Sequence, residues 1–136
     1  MHLLKTKIEF AASHKLWNPK WSQEKNFEVY GKCANLNGHG HNYTVEITLR
    51  GEPNPETGMM INFRDVKNIL REEIYDRVDH KNLNMDVPEL SNVNPTAENL
   101  ATVFWKLLTP HFQKNVKLSE VTVKEKDRNI ITYTEV

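Results

Sequence analysis

Apolar residues in this chain recur at two different periods, and the switches between those periods mark out its elements. From Leu4 to His14 the period is two. Leu4, Ile8, Phe10, Ala12 and His14 share one parity while Lys5, Lys7, Glu9 and Ser13 take the other, which predicts a half-buried strand. The alternation returns between Asn42 and Arg50, where Tyr43, Val45, Ile47 and Leu49 share the parity of His39 and His41, and Thr44, Glu46, Thr48 and Arg50 take the other. Glu52 to Gly58 predicts a turn from its two prolines and glycine, and Met59-Met60-Ile61 a short third strand. The period then lengthens. Phe63, Val66, Leu70, Ile74 and Val78 form a helical stripe that starts at an Asn62 cap, carries Asp65 in its first turn and stops near Asp79-His80. Asn94 as cap and Pro95 at the first position open a second helix that buries Ala97, Leu100, Ala101, Phe104 and Leu108, and Pro110 ends it. Period two closes the chain over Val116 to Glu125, with Val121, Val123 and Glu125 on one face, a Lys126–Asn129 turn and a last strand Ile130 to Thr134. Lys15 to Val29 follows neither period. It is expected to be an irregular insertion over a pocket mouth, with Trp17 and Trp21 either packed down or touching a ligand.

This order, with hairpins at both ends, predicts an α+β fold: a four-stranded antiparallel sheet with two helices packed on one face. Sheet edges of that length favour pairing between copies, so a homo-oligomer is expected. The length of 136 residues suits one domain, residues 1–136. Eighteen basic against eighteen acidic residues leave no global field to attract nucleic acid or an anionic membrane. No stretch reaches the roughly 18 apolar residues of a membrane span. Met1 to Lys5 runs straight into a strand without the pattern of a signal peptide. One cysteine makes no internal disulfide, so the expected location is cytoplasmic.

The chemistry concentrates in Gly31 to Tyr43, where the single cysteine, Cys33, precedes a His39-x-His41 pair. Histidines at i and i+2 on a strand project from one face and can share one Zn²⁺. His14 ends the other apolar strand face, and if the two strands pair it becomes the third ligand. Three neutral imidazoles leave one tetrahedral position open, as catalytic zinc sites do. Gly38 and Gly40 leave room for backbone close to an ion. Cys33, in a polar context beside Lys32, is expected to be a reactive thiol whose pKa the lysine or a metal lowers. Asp79-His80 offers either a carboxylate-oriented proton carrier or a cation at a helix C-terminus. Glu125, a carboxylate on an apolar face, needs a basic side chain or a ligand rich in N–H donors, such as a guanidine-like heterocycle edge.

With Phe10-Ala11-Ala12-Ser13-His14, the Gly31–Tyr43 block, Asp79-His80-Lys81-Asn82-Leu83-Asn84, Pro95-Thr96-Ala97-Glu98-Asn99 and Val123-Lys124-Glu125, the chain resembles the family of 6-pyruvoyltetrahydropterin synthase and its relative 6-carboxytetrahydropterin synthase, over nearly its whole length. The resemblance implies the tunnelling fold, assembled as trimeric barrels into a hexamer with sites between subunits. It implies zinc on His14, His39 and His41, a catalytic base at Cys33, a proton relay through Asp79 and His80, and a pterin anchor at Glu125 assisted by Thr96. The implied substrate is 7,8-dihydroneopterin triphosphate. The Cys-x5-His-x-His spacing resembles the pyruvoyl-forming branch, of tetrahydrobiopterin biosynthesis, rather than the carboxy-forming branch of queuosine biosynthesis. Two readings from other classes use the same histidines: a zinc hydrolase, with no need for Cys33, and a non-catalytic zinc or pterin-binding module.

Overall fold

Strands β1 (His2–His14) and β2 (His39–Gly51) pair antiparallel along their full lengths, with His2 opposite Gly51 and His14 opposite His39. The computed structural model describes residues 1–135. Beyond β2 lie β4 (Val116–Glu125) and then β5 (Asn129–Tyr133), each antiparallel to its neighbour. On the other side β3 (Lys81–Asn82) runs parallel to β1 at Ala12 and Ser13, so the order is β3-β1-β2-β4-β5. Among the described residues the sheet thus has five strands, not the expected four, and one parallel pair.

The segment Met59–Ile61 is a bend rather than the expected third strand. Met60 and Ile61 meet their hydrophobic demand by packing against the core, which needs no ladder. In β4 the register to β2 shifts by one residue, Leu118 facing Leu49 and Glu120 facing Thr48. This bulge at Ser119 absorbs one residue and keeps Val116 and Leu118 on the same buried face as Val121 and Val123.

Among the described residues three helices form, not two. Inside the stretch expected to be irregular, α1 (Gln23–Tyr30) is capped by the Ser22 hydroxyl, which accepts from the Lys25 N–H. It ends at Gly31, where φ is +58°. Its only buried residue is Asn26, so it has no apolar stripe to announce it. Asn62 caps α2, which runs over Phe63–Leu70, continues through a π-helical stretch Arg71–Tyr75 and closes with Asp76–Val78. Val66, Leu70, Ile74 and Val78 recur every four residues, a spacing that drifts by about 40° per step on an α-helix. The wider π turn takes up that drift and keeps all four buried. Phe63, the first residue of the expected stripe, is exposed. Thr96, rather than Asn94, caps α3 (Ala97–Leu108) by accepting from the Asn99 N–H. Asn94 instead joins the loop after β1 to the end of α1, accepting from the Trp17 N–H and donating to the Tyr30 hydroxyl.

The buried sides of α2 and α3 meet the inner face of the sheet, where Phe10 stacks on Tyr43 and meets Phe104 edge-on. Among the described residues no helix is long and apolar enough to cross a membrane. The core fills the sheet from Leu49 to Tyr43, and beyond Tyr43 the same inward positions are taken by His41 and His39.

Candidate active site

Register alone brings the histidines together. His14 sits opposite His39, and His41 lies opposite Ala12, two residues along the same face. Glu125 lies one row further in, opposite Tyr43. A nitrogen from each imidazole and one carboxylate oxygen of Glu125 all lie within 4.8 Å of one another.

The ring of His14 is fixed by a partner 81 residues away: its Nδ1 is 2.8 Å from the carbonyl oxygen of Pro95. A carbonyl only accepts, so Nδ1 carries the proton and Nε2 keeps a free lone pair. That Nε2 is 3.3 Å from Nε2 of His39, close to the about 3.3–3.4 Å that separates two ligands of a tetrahedral ion with bonds of about 2.0–2.1 Å. Nε2 of His41 is 2.7 Å from Oε1 of Glu125, yet out of line for a hydrogen bond, and both ring nitrogens of His41 are buried without a hydrogen-bond partner. Buried nitrogens without partners that converge with a carboxylate oxygen fit a divalent cation, and the imidazole-rich donor set suits zinc.

Burial is the largest influence on His14 and His41 and holds both below the ordinary histidine range, against the opposing pull of the Pro95 carbonyl on His14 and of Glu125 on both. Folding therefore favours their neutral forms. The stability they contribute is present above about pH 6.5 and is lost as the pH falls below it. The thermal midpoint of the metal-free protein is expected to drop between pH 7.5 and 5.5, with metal loading weakening in parallel because protons compete for the same lone pairs. A midpoint that rises over this interval would contradict the assignment of neutral imidazoles.

Cys33 is carried by a 3₁₀ turn (Gly31–Ala34), and its carbonyl accepts from the Leu16 N–H at 2.7 Å. Its Sγ is 3.8 Å from Nε2 of His39. Burial pushes the thiol up, Glu125 adds to that, and Lys126 opposes both. The expected lowering by Lys32 does not occur; the nearby cation is Lys126, and it is outweighed. Tyr43, under the cluster, has a buried hydroxyl without a partner, held protonated by burial and by the charges of Glu125 and Cys33.

Asp79 and His80 bond directly, Nδ1 of His80 lying 2.7 Å from Oδ2 of Asp79. Neighbours in sequence rarely do this, and here φ of +58° at His80 turns its side chain back. The other Asp79 oxygen accepts from the Ala11 N–H. Burial pushes the Asp79 carboxyl up, but these bonds and the Tyr75 hydroxyl beside them hold it below the usual range. His80 is 81% exposed and, with Asn82 and His41, lines a cleft of about 590 Å³ along the edge of β1. Within one chain the polar contact of Cys33 is with His39 and not with His80.

Thr96 lies next to the Pro95 carbonyl that holds His14, and its oxygen caps α3 while its proton remains free to donate. Of the two glycines beside His39, only Gly38 is required: φ is +70°, and a Cβ would lie 2.5 Å from the His14 carbonyl oxygen. At Gly40 a Cβ would meet only Ala12 O, at 3.7 Å. Sequence reasoning missed the clamp made by Asn84, whose side chain accepts from the Lys15 N–H and donates to its carbonyl. It also missed Pro95, since a backbone carbonyl carries no sequence signal.

Comparison with known proteins gives the same answer by three routes. The 6-pyruvoyl tetrahydropterin synthase family model matches residues 3–136. The human 6-pyruvoyl tetrahydrobiopterin synthase is 46% identical over 127 residues, covering 93% of this chain and 87% of that one. The Drosophila melanogaster protein of the same name is 45% identical over 124 residues, 91% of this chain and 74% of that one. The solved structure of Caenorhabditis elegans 6-pyruvoyl tetrahydropterin synthase matches with a TM-score of 0.91 at 36% identity, over 99% of this chain and 96% of that chain. A shared fold and identity of this extent along nearly the whole length leave one conclusion: this chain belongs to the 6-pyruvoyl tetrahydropterin synthase family.

Proposed function

We propose that this chain is a zinc-dependent lyase that converts 7,8-dihydroneopterin triphosphate to 6-pyruvoyltetrahydropterin and triphosphate. The observation that carries the reading is the convergence of three imidazoles, a carboxylate and the only thiol at one end of the sheet. His14, His39 and His41 hold the ion. When bound, Zn²⁺ supplies a Lewis acid to the oxygens of the substrate side chain. Glu125 and Thr96 anchor the pterin, the carboxylate accepting from the N–H groups of its guanidine-like edge.

The reaction needs no external hydride carrier, because two electrons leave the side-chain carbinols and reduce the ring while triphosphate is eliminated. Cys33, once ionised, removes a proton from the side chain. Asp79 keeps Nδ1 of His80 protonated, so that the other nitrogen delivers and takes up protons. Because Cys33 and His80 of one chain do not touch, Asp79 and His80 of an adjacent copy complete the site, in a tunnelling-fold trimer paired into a hexamer. The free thiol suits a reducing, cytoplasmic setting.

The test is anaerobic incubation of zinc-loaded protein with 7,8-dihydroneopterin triphosphate and identification of products by mass spectrometry. The expected result is the pyruvoyl-tetrahydropterin mass with free triphosphate. A carboxy-tetrahydropterin with acetaldehyde would move the chain to the queuosine-type branch, and unchanged substrate would overturn the lyase reading in favour of a binding module.

A further inference from the structure

The relay pair at the edge of β1 is held by more than its own contact. The Asp79 carboxylate accepts from the Ala11 N–H at 3.1 Å and pairs with Nδ1 of His80 at 2.7 Å, and the Tyr75 hydroxyl is its third partner. A phenol keeps its proton at neutral pH, so the hydroxyl donates. The backbone repeats the link, because the Asp79 N–H donates to the Tyr75 carbonyl at 2.9 Å. Residues four apart on a helix stand one above the other. Ile74 and Val78 take the buried face of α2, and Tyr75 and Asp79, each one residue further on, share the face beside it, towards the edge of β1. Tyr75 also ends the π-helical stretch Arg71–Tyr75, a feature frequent at functional sites. Core packing does not account for an aromatic ring at this position, since Tyr75 is 38% exposed.

We infer that Tyr75 is a positioning residue of the proton relay: its hydroxyl pins the Asp79 carboxylate from the helix side, and the pinned carboxylate holds the imidazole of His80 in one tautomer and one orientation. The inference rests on the lyase reading and concerns a residue that acts on the relay without touching the substrate. The need for a donor on the helix follows from how the pair is built. The main chain of His80 is fixed by the strand, its N–H donating to the Ala11 carbonyl at 2.6 Å. Its ring is 81% exposed and takes its orientation from Asp79. The sheet holds that carboxylate through a single amide, Ala11, about which it can turn. A second hold from α2 removes that freedom. Helix and strand thus grip the carboxylate from two sides, which keeps the proton on Nδ1 and leaves Nε2 as the nitrogen that exchanges protons.

The test is Tyr75→Phe, which keeps the ring and removes the hydroxyl, beside Tyr75→Leu, which removes both. Zinc-loaded Tyr75→Phe is expected to lose about two- to tenfold in kcat, the contribution of one hydrogen bond. KM is expected to stay unchanged, because the pterin is held by Glu125 and Thr96, and Tyr75→Leu is expected to match Tyr75→Phe. A second readout needs no turnover. In protein with isotope-labelled histidine, long-range proton–nitrogen NMR correlations distinguish the tautomers of neutral His80, and in Tyr75→Phe its two ring-nitrogen signals are expected to move towards each other as the tautomers mix. A Tyr75→Phe protein equal to the unmodified one in both readouts overturns the inference, as does a fall in kcat that leaves the His80 signals in place. Loss confined to Tyr75→Leu would assign the residue to packing and overturn it too. Absence of turnover in the unmodified protein would overturn the lyase reading alone, since the His80 signals still decide whether Tyr75 positions the pair.

Discussion

Cys33→Ala is expected to lower kcat by about 10²–10⁴, the range lost with a general acid or base, while metal content and pterin binding stay unchanged. The expectation follows from where the thiol sits. Its Sγ touches His39 but is not one of the four atoms that converge on the ion position, so deleting it spares the metal. The Tyr43 hydroxyl, under the cluster, is buried and held protonated, so it does not take over the proton. Steady-state kinetics with metal analysis on the same sample decides the matter. A kcat equal to that of the unmodified protein would remove Cys33 from the mechanism and favour a hydrolytic zinc site. Burial and Glu125 both disfavour the thiolate, so the positive charge that ionises this cysteine has to come from the site itself rather than from Lys32.

Gly38→Ala is expected to destabilise the protein by about 2–4 kcal/mol, combining a positive φ with a backbone clash, and to weaken metal binding through the displaced His39. A Cβ there would meet both the carbonyl oxygen of His14, at 2.5 Å, and its carbonyl carbon, at 3.0 Å. Neither can retreat, because His14 is paired with His39 and its ring is tied to Pro95. Gly58 provides the internal comparison, since φ is +73° but nothing lies within 4 Å of a Cβ. Denaturant unfolding of the two alanine variants separates strain from clash. If Gly38→Ala loses no more stability than Gly58→Ala, the close approach is not what makes Gly38 necessary.

The strands and the three histidines were legible because one signal fixed both. A period of two that carries Phe10 and Ala12 inward carries His14 inward too, and the same parity links Tyr43 to His41 and His39. The two long helices were legible from their stripes. Other elements were held by forces that leave no period. In α1 the organising residue is Asn26, which ties the loop by accepting from the Asn18 N–H and donating to the carbonyls of Asn18 and Ser22. Strand β3 has only two residues, too few to alternate. The bulge at Ser119 interrupts the parity of β4, so Glu125 was placed from the nearer half of the strand alone. The Asp79–His80 bond depends on a left-handed backbone at a histidine, which its sequence context does not signal. The charge on Cys33 was misjudged because adjacency in sequence put Lys32 forward, whereas the fold brings Glu125 and Lys126 to the thiol.

At the end of the sheet that carries the histidines, β1 and β2 are joined by no tight turn; the chain leaves at His14 and returns at His39 after the excursion 15–38. Closing a loop of that length costs roughly 2 kcal/mol more chain entropy than a two-residue turn. Beyond the bond from the Leu16 N–H to the Cys33 carbonyl, the outgoing end is held by a set of borrowed amides: Asn84 on Lys15, Asn94 on Trp17, and Pro95 on His14. Fraying of this ladder is therefore polarised. It starts where the histidines are, without disturbing the pairing around Leu49, so the protein is softest where a bulky ligand must enter.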